Sequence, residues 1–237
     1  MIDFHSHILP GVDDGSDSVE MSVAMLQMEA EQGIEHVVAT PHFYAHRHRP
    51  EKFLSDRDRA EEALRRELQK YPNLPRLSIG AEVFYFHGMS ESEFLPQLTI
   101  QGTSSIMIEM GRAPWPDAAY RELERIYQQW GITPVIAHVD RYVSPFRTHG
   151  ILKRLEQMPV LVQANTSFFL KPSTACMAIN GLRKGQIQLL GSDCHDLHNR
   201  KPDMADAIKV IERRLGIDAI TYIREHSSQA LQQIQKL

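Results

Sequence analysis

The chain has 237 residues, 42% of them hydrophobic and 24% charged, a globular composition whose core needs no staples at this length. Its formal charge is −4 with both signs mixed along the length, which argues against a nucleic-acid partner, which usually calls for a basic face, and against an anionic membrane surface. No apolar run can span a bilayer, no secretory leader opens the chain, and Cys176 and Cys194 make no disulfide framework, so a cytoplasmic location is expected.

Short β-like runs alternate with helical ones from end to end, the pattern of an α/β protein with a mostly parallel sheet. The first strand is expected at residues 2–4. A helix follows, with Val19, Val23, Leu26 and Ala30 at helical spacing behind Ser16 and Ser18 as caps, and Met21, Met25 and Met28 filling its core and surface. After a strand at 36–40, the charge-dense run 56–70 reads as a solvated helix face with Leu64 and Leu68 inward. Strands at 77–80 and 105–108 come next, then a Pro-bracketed loop in which Trp115 reads as a packed anchor or as a wall for an aromatic substrate. Leu123, Ile126, Tyr127 and Trp130 mark a helix stopped by Gly131. Strands at 133–137, 160–164 and 187–190 follow. A helix carrying Met204, Ala207, Ile208, Ile211 and Leu215 runs from Pro202 to Gly216, and residues 227–237 read as a closing helix with Ala230, Leu231 and Ile234 on one face. Seven strands, most followed by a helix, imply a barrel slightly short of the usual eight units or an open doubly wound sheet.

Twelve histidines stand out, and their positions carry the functional reading. The first strand runs into His5-Ser6-His7, where alternation puts both imidazoles on one face, and Asp14 follows in a Gly-Val-Asp-Asp-Gly loop. Later strands end at His42, Glu82, Glu109 and His138, and the last ends in Asp193-Cys194-His195. Carboxyl ends of strands form the functional rim of parallel α/β folds. A lone strand-end histidine caps or packs, and a lone carboxylate forms a loop. Repetition at nearly every strand end is what those readings leave unexplained. Mixed nitrogen and oxygen donors suit Mn, Fe or Zn, and a set this large would serve about two or three ions. Ions bridged in this way clamp a phosphoryl group.

These residues, in this order, resemble the polymerase-and-histidinol-phosphatase (PHP) superfamily of metal-dependent phosphoesterases. Within it the chain is more similar to the bacterial capsule-operon protein-tyrosine phosphatases. The resemblance rests on Met1-Ile2-Asp3-Phe4-His5-Ser6-His7-Ile8, Val12-Asp13-Asp14-Gly15, Gly80-Ala81-Glu82, Gly131-Ile132-Thr133-Pro134-Val135-Ile136-Ala137-His138, Arg141-Tyr142, Ser192-Asp193-Cys194-His195 and Pro202-Asp203-Met204. It implies one domain over residues 1–237, a distorted TIM-like barrel of about seven βα units (the PHP fold) with its site at the C-terminal ends of the strands. It also implies a manganese cluster of two or three ions, held by His5, His7, Asp14, His42, Glu82, Glu109, His138, Asp193 and His195. The substrate implied is a phosphotyrosine protein, the tail of a tyrosine kinase controlling polysaccharide export. Arg141 and Arg200 match residues that bind the phosphate, and His42 and His195 are candidates to donate a proton to the leaving group. Two stretches depart from the family: Asp140 stands where it usually has Glu, and the loop His46-Arg47-His48-Arg49 has no counterpart in its pattern.

Rival readings remain. A small-molecule phosphatase such as a histidinol-phosphate phosphatase would share every ligand, whereas a superfamily exonuclease lacks a basic stripe for the nucleic-acid backbone. A non-catalytic protein could also keep the ligands. Cys194 and Arg200 have the Cys-x5-Arg spacing of cysteine-dependent phosphatases, but no glycine lies between them and Asp193 and Asp196 oppose a thiolate.

Overall fold

The computed structural model describes residues 1–112, 114–144 and 150–232. Strands are present at all seven expected places: β1 (Ile2–Ser6), β2 (His36–Ala39), β4 (Arg76–Ile79), β6 (Ser105–Glu109), β7 (Thr133–Ile136), β8 (Leu161–Asn165) and β9 (Leu189–Gly191). Two short strands that the sequence pattern does not reveal continue β2 and β4 after a break: β3 (His42–Phe43) and β5 (Glu82–Phe84). Pro41 makes the first break because it has no N–H for the ladder. Gly80 makes the second, where a Cβ would crowd Ile100 at 3.0 Å.

All the ladders are parallel, in a three-stranded sheet ordered β1-β2-β4 and a six-stranded sheet ordered β3-β5-β6-β7-β8-β9. Both edges of the larger sheet return to the smaller one, so it curls into a half-barrel. Its β3 edge does so through the chain itself. Its β9 edge does so through Asp193 N donating to His5 O (2.8 Å) and His7 N donating to Cys194 O (2.9 Å).

Six helices lie between the strands, α1 (Val19–Glu31), α2 (Pro50–Leu68), α3 (Asp117–Trp130), α4 (Ile151–Leu155), α5 (Thr166–Leu170) and α6 (Ala175–Arg183), and two follow β9, α7 (Met204–Leu215) and α8 (Ile217–Ala230). Ser18 caps α1 by accepting from Met21 N, and Gly131 ends α3 in the left-handed conformation at φ 63°, as expected. The charge-dense helix α2 differs from expectation at Arg57, which is buried and donates to the carbonyls of Gly80 (3.5 Å) and Gln97 (3.2 Å). The closing helix starts ten residues earlier than the pattern suggests, immediately after Gly216, and ends at Ala230. Ile234 lies outside the described residues.

An inner cluster takes one side chain each from five strands, Phe4, Val38, Met107, Val135 and Leu189, all fully buried. Ala230 at the end of α8 joins this cluster, and its carbonyl accepts from Ser105 Oγ at the start of β6 (2.9 Å). That shuts the amino end of the strands and leaves the carboxyl end open for a site. No helix among the described residues is long and apolar enough to cross a membrane.

Candidate metal centre

The β1–β2 pairing slips between Asp3 and Ser6, and at this irregularity β1 passes from burying Phe4 to presenting His5 and His7. Their Nε2 atoms lie 3.2 Å apart. β3 and β5 pair with His42 opposite Glu82, so these two side chains project together, His42 Nδ1 lying 2.9 Å from Glu82 Oε2. Glu82 Oε2 is also 3.3 Å from the Nε2 atoms of both His5 and His7, and Glu82 Oε1 meets His138 Nε2 at 2.6 Å. Glu109 ends β6 with Oε1 3.6 Å from the same His138 nitrogen. Asp14 reaches in from its loop, with Oδ1 3.5 Å from His42 Nε2 and 3.6 Å from His195 Nε2. Asp193 Oδ1 closes the ring, 3.4 Å from His7 Nε2 and 3.7 Å from His195 Nδ1. All nine residues singled out at the strand ends therefore meet in one place.

Both arginines arrive there too. Arg141 donates to Glu109 Oε1 (3.0 Å) and Asp193 Oδ2 (2.7 Å), and Arg200 donates to Asp193 Oδ1 (2.8 Å). Their side chains stay 40% and 39% exposed, enough to meet a ligand from solvent. A cleft of about 450 Å³ opens beside them, lined also by Asn165, Lys171, His198 and Lys201.

Several supporting residues escape sequence reasoning. Gln163 on β8 places Oε1 3.2 Å from His5 Nδ1 and accepts from His138 N at 2.5 Å. Asp13 holds His7 Nδ1 at 2.6 Å and accepts from His42 N at 2.9 Å. Asn165 donates to Asp193 Oδ2 (2.8 Å), and Tyr142 Oη lies 3.3 Å from His138 Nδ1. Such groups fix ring orientation behind metal ligands. Asp13 had one visible signal, the doubled Asp of its loop; Gln163 and Asn165 had none. Asp140 makes no ion pair with Arg141 among the described residues; its Oδ1 accepts from Asn165 N at 3.0 Å. His138 (φ 31°) and Asp193 (φ 55°) are the positive-φ non-glycine residues of the described chain. Each such residue costs about 1–3 kcal/mol, a strain that gathers at functional sites.

Burial disfavours charge at Glu82, Asp193, His7, His195 and Glu109; neighbours reverse its effect at the first three and not at the last two. Glu82 would be raised by burial, but the charge of His5 with the hydrogen bonds of His138 and His42 holds it well below its usual range. Asp193 is likewise held low against burial by His5 and His7. For His7, burial is outweighed by Asp13, and its pKa is raised well above normal. His195 goes the other way, pushed down to about 3 by burial and then by His7, so its imidazole is neutral. Burial and Glu82 raise Glu109.

Among the described residues, His195 Nε2 is a buried atom facing the cluster with no hydrogen-bond partner, and His42 Nδ1 and Glu82 Oε2, 2.9 Å apart, meet at an angle too poor for a regular hydrogen bond. Orphaned donors and acceptors at full burial are costly unless something else ligates them. Ligand atoms within 4.8 Å of one another form three overlapping groups: His7, Asp14, His42 and His195; His5, His7 and Asp193; His42, Glu82 and Glu109. A mixed nitrogen and oxygen set of this kind fits divalent transition ions.

The remaining sequence candidates sort plainly. Cys194 is fully buried and faces Asp3 and Glu29, away from the arginines. Burial and then Glu29 and Asp3 push its thiol well up, which removes the Cys-x5-Arg chemistry. Trp115 is a loop anchor: Nε1 donates to Gly111 O at 2.8 Å and the ring meets Tyr142 edge-on. The loop carrying His46 and Arg47 sits beside the mouth, because Tyr44 packs its ring 5.3 Å from that of His42.

Comparison with known proteins agrees with this geometry. The family described as capsular polysaccharide synthesis, CpsB/CapC, matches residues 1–232. The tyrosine-protein phosphatase CpsB of Streptococcus agalactiae serotype III (strain NEM316) is 28% identical over 244 residues, spanning 98% of each chain. The tyrosine-protein phosphatase YwqE of Bacillus subtilis (strain 168) is 25% identical over 236 residues, spanning 96% of this chain and 90% of that one. A solved structure from work on YwqE of Bacillus subtilis and CpsB of Streptococcus pneumoniae, described as unique metal-dependent tyrosine phosphatases, shares the fold. It superposes with a TM-score of 0.84 at 23% identity over 98% of this chain and 94% of that one. From its first strand through its last described helix, the chain belongs to the CpsB/CapC family of capsular polysaccharide synthesis.

Proposed function

We propose that the protein is a metal-dependent protein-tyrosine phosphatase, and that its fold is one domain, a distorted barrel of about seven βα units. The observation that carries this reading is the convergence of eight nitrogen and oxygen donors in overlapping groups, with His138 joined to them through Glu82, beside Arg141 and Arg200, both paired to Asp193. The relatives named above support it, since they carry the name tyrosine-protein phosphatase at full length. His5, His7, Asp14, His42, Glu82, Glu109, His138, Asp193 and His195 would hold the ions, two or three of them, manganese first and iron or zinc as alternatives. When bound, they supply a hydroxide nucleophile near neutral pH and offset charge on the phosphoryl oxygens.

The chain's own residues account for the rest. The forked donors of Arg141 and Arg200 suit two phosphate oxygens at once. As the phosphorus–oxygen bond to the phenol breaks, the leaving group is a phenolate with a pKa near 10, which needs little acid help. Neutral His195 suits ligation better than proton donation, leaving His42, 12% exposed at the mouth, as the better placed proton carrier. The substrate would be a phosphotyrosine protein in the cytoplasm, the tail of a polysaccharide-export kinase. No observation favours a small phosphoester instead.

Kinetics of variants test the assignment. His5→Ala, Asp193→Ala and Glu109→Gln should each lower kcat by about a thousandfold or more on a phosphotyrosine peptide. Arg200→Ala should mainly raise KM. Unchanged kinetics in Arg200→Ala would remove that residue from the site, and near-normal turnover in the ligand variants would overturn the reading.

A further inference from the structure

The turn after β3 is not used by the mechanism, yet it borders the site. His42 and Glu82 face each other across the β3–β5 ladder, and two residues further out stand Tyr44, immediately after β3, and Phe84, the last residue of β5. Side chains at i and i+2 share a face and are separated by about 6.7 Å along a strand. An aromatic row thus lies one step outward from the ligand row, the rings of Tyr44 and Phe84 5.8 Å apart and both partly exposed. A phosphate held at the inner row would leave the ring it esterifies beside the outer one. Trp115, buried and hydrogen-bonded in its own loop, does not compete for this role.

The chain then turns sharply, Arg47 N and His48 N both donating to Tyr44 O. His48 is the anchor of this turn: it accepts from Tyr44 N at 3.2 Å and stacks on Phe53 at an interplanar angle of 11°. With His48 turned inward, His46, Arg47 and Arg49 are left exposed. Arg47 lies over the Tyr44 ring, 5.5 Å from its centroid. Neither Arg47 nor Arg49 pairs with a carboxylate among the described residues, whereas on the adjoining helix α2 Arg59, Arg65 and Arg66 each do. Exposed guanidiniums left unpaired beside an aromatic wall suit an anionic chain passing over the mouth.

We propose that residues 44–49 together with Phe84 form a substrate-docking rim, in which Tyr44 and Phe84 flank the phosphotyrosine ring and Arg47 and Arg49 engage acidic residues next to it. The inference rests on the phosphotyrosine reading above and narrows it to peptides carrying carboxylates around the phosphotyrosine.

The test is steady-state kinetics of the Mn²⁺-loaded protein on phenyl phosphate and on three phosphotyrosine peptides, flanked by Glu, by Gln or by Lys. The Glu-flanked peptide should have the highest kcat/KM, about fivefold above the Gln-flanked one, the size expected of one or two exposed ion pairs. Added salt should narrow the gap. The double variant Arg47→Glu/Arg49→Glu, two exposed positions on a surface turn, should invert the order so that the Lys-flanked peptide leads. Tyr44→Ala should raise KM for all three peptides about fivefold, and Tyr44→Phe should restore it, because the ring face is what is used. Equal kcat/KM across the peptides, or a Glu preference that survives the double variant, would overturn the docking rim and leave the phosphatase reading intact. Turnover of no aryl phosphate at all would overturn both.

Discussion

Gln163 shows how the ligand set depends on residues that carry no chemistry themselves. It sits 158 residues from His5 in sequence, yet one side-chain oxygen serves His5 Nδ1 and the backbone of His138 together. Gln163→Leu should lower Mn²⁺ affinity by about 10- to 100-fold, measured by calorimetric titration of metal-stripped protein, while thermal unfolding stays cooperative. Asp13→Asn should do the same through His7, whose Nδ1 proton it fixes. Cys194 supplies the opposite prediction: Cys194→Ala should keep activity within about twofold, since the thiol is buried and faces away from the arginines. At this scale the ligands were legible because His, Asp and Glu recur at strand ends. Gln163 and Asn165 were not, because an amide in a strand signals nothing until the fold sets it against its partner.

The seven principal strands and helices α1, α3 and α7 were legible as elements, each from periodicity with a cap or a glycine stop. The breaks that make β3 and β5 were not, since two- and three-residue strands show no period. Yet these breaks create the site by turning His42 and Glu82 into one ladder. Helix α8 was read too late because Ser227 interrupts an otherwise regular row of Ile220, Ile223 and Ala230. Two glycines, Gly15 in its loop and Gly191 at the end of β9, are needed where the chain passes close to β1 and the residue after it. A Cβ at Gly15 would stand 2.1 Å from His7 O, and one at Gly191 would stand 2.6 Å from His5 Cβ. Gly15→Ala should therefore displace the Asp13–Asp14 loop. Loss of Mn²⁺ affinity well before loss of fold, seen by comparing metal titration with the far-UV spectrum, is the expected result.

Over the whole molecule, the parallel ladders bring residues from both ends of the chain to one rim, so metal binding and folding are coupled. Acid stability has a separate source outside the rim. His36 on β2, held by Ser78 Oγ at 2.8 Å, is pushed down to about 4 by burial and by Arg76. Its folded pKa lies below its unfolded one, so the unfolded chain binds the extra proton and stability falls as pH drops from about 6.5 to 4. His36→Gln should flatten the fall of Tm across that window. The measurement that bears most directly on the whole molecule is phosphate release from a phosphotyrosine peptide after chelator treatment, with and without added Mn²⁺. Activity lost to the chelator and restored by Mn²⁺ is the expected result. Activity indifferent to the chelator would contradict a metal-dependent site at the strand ends.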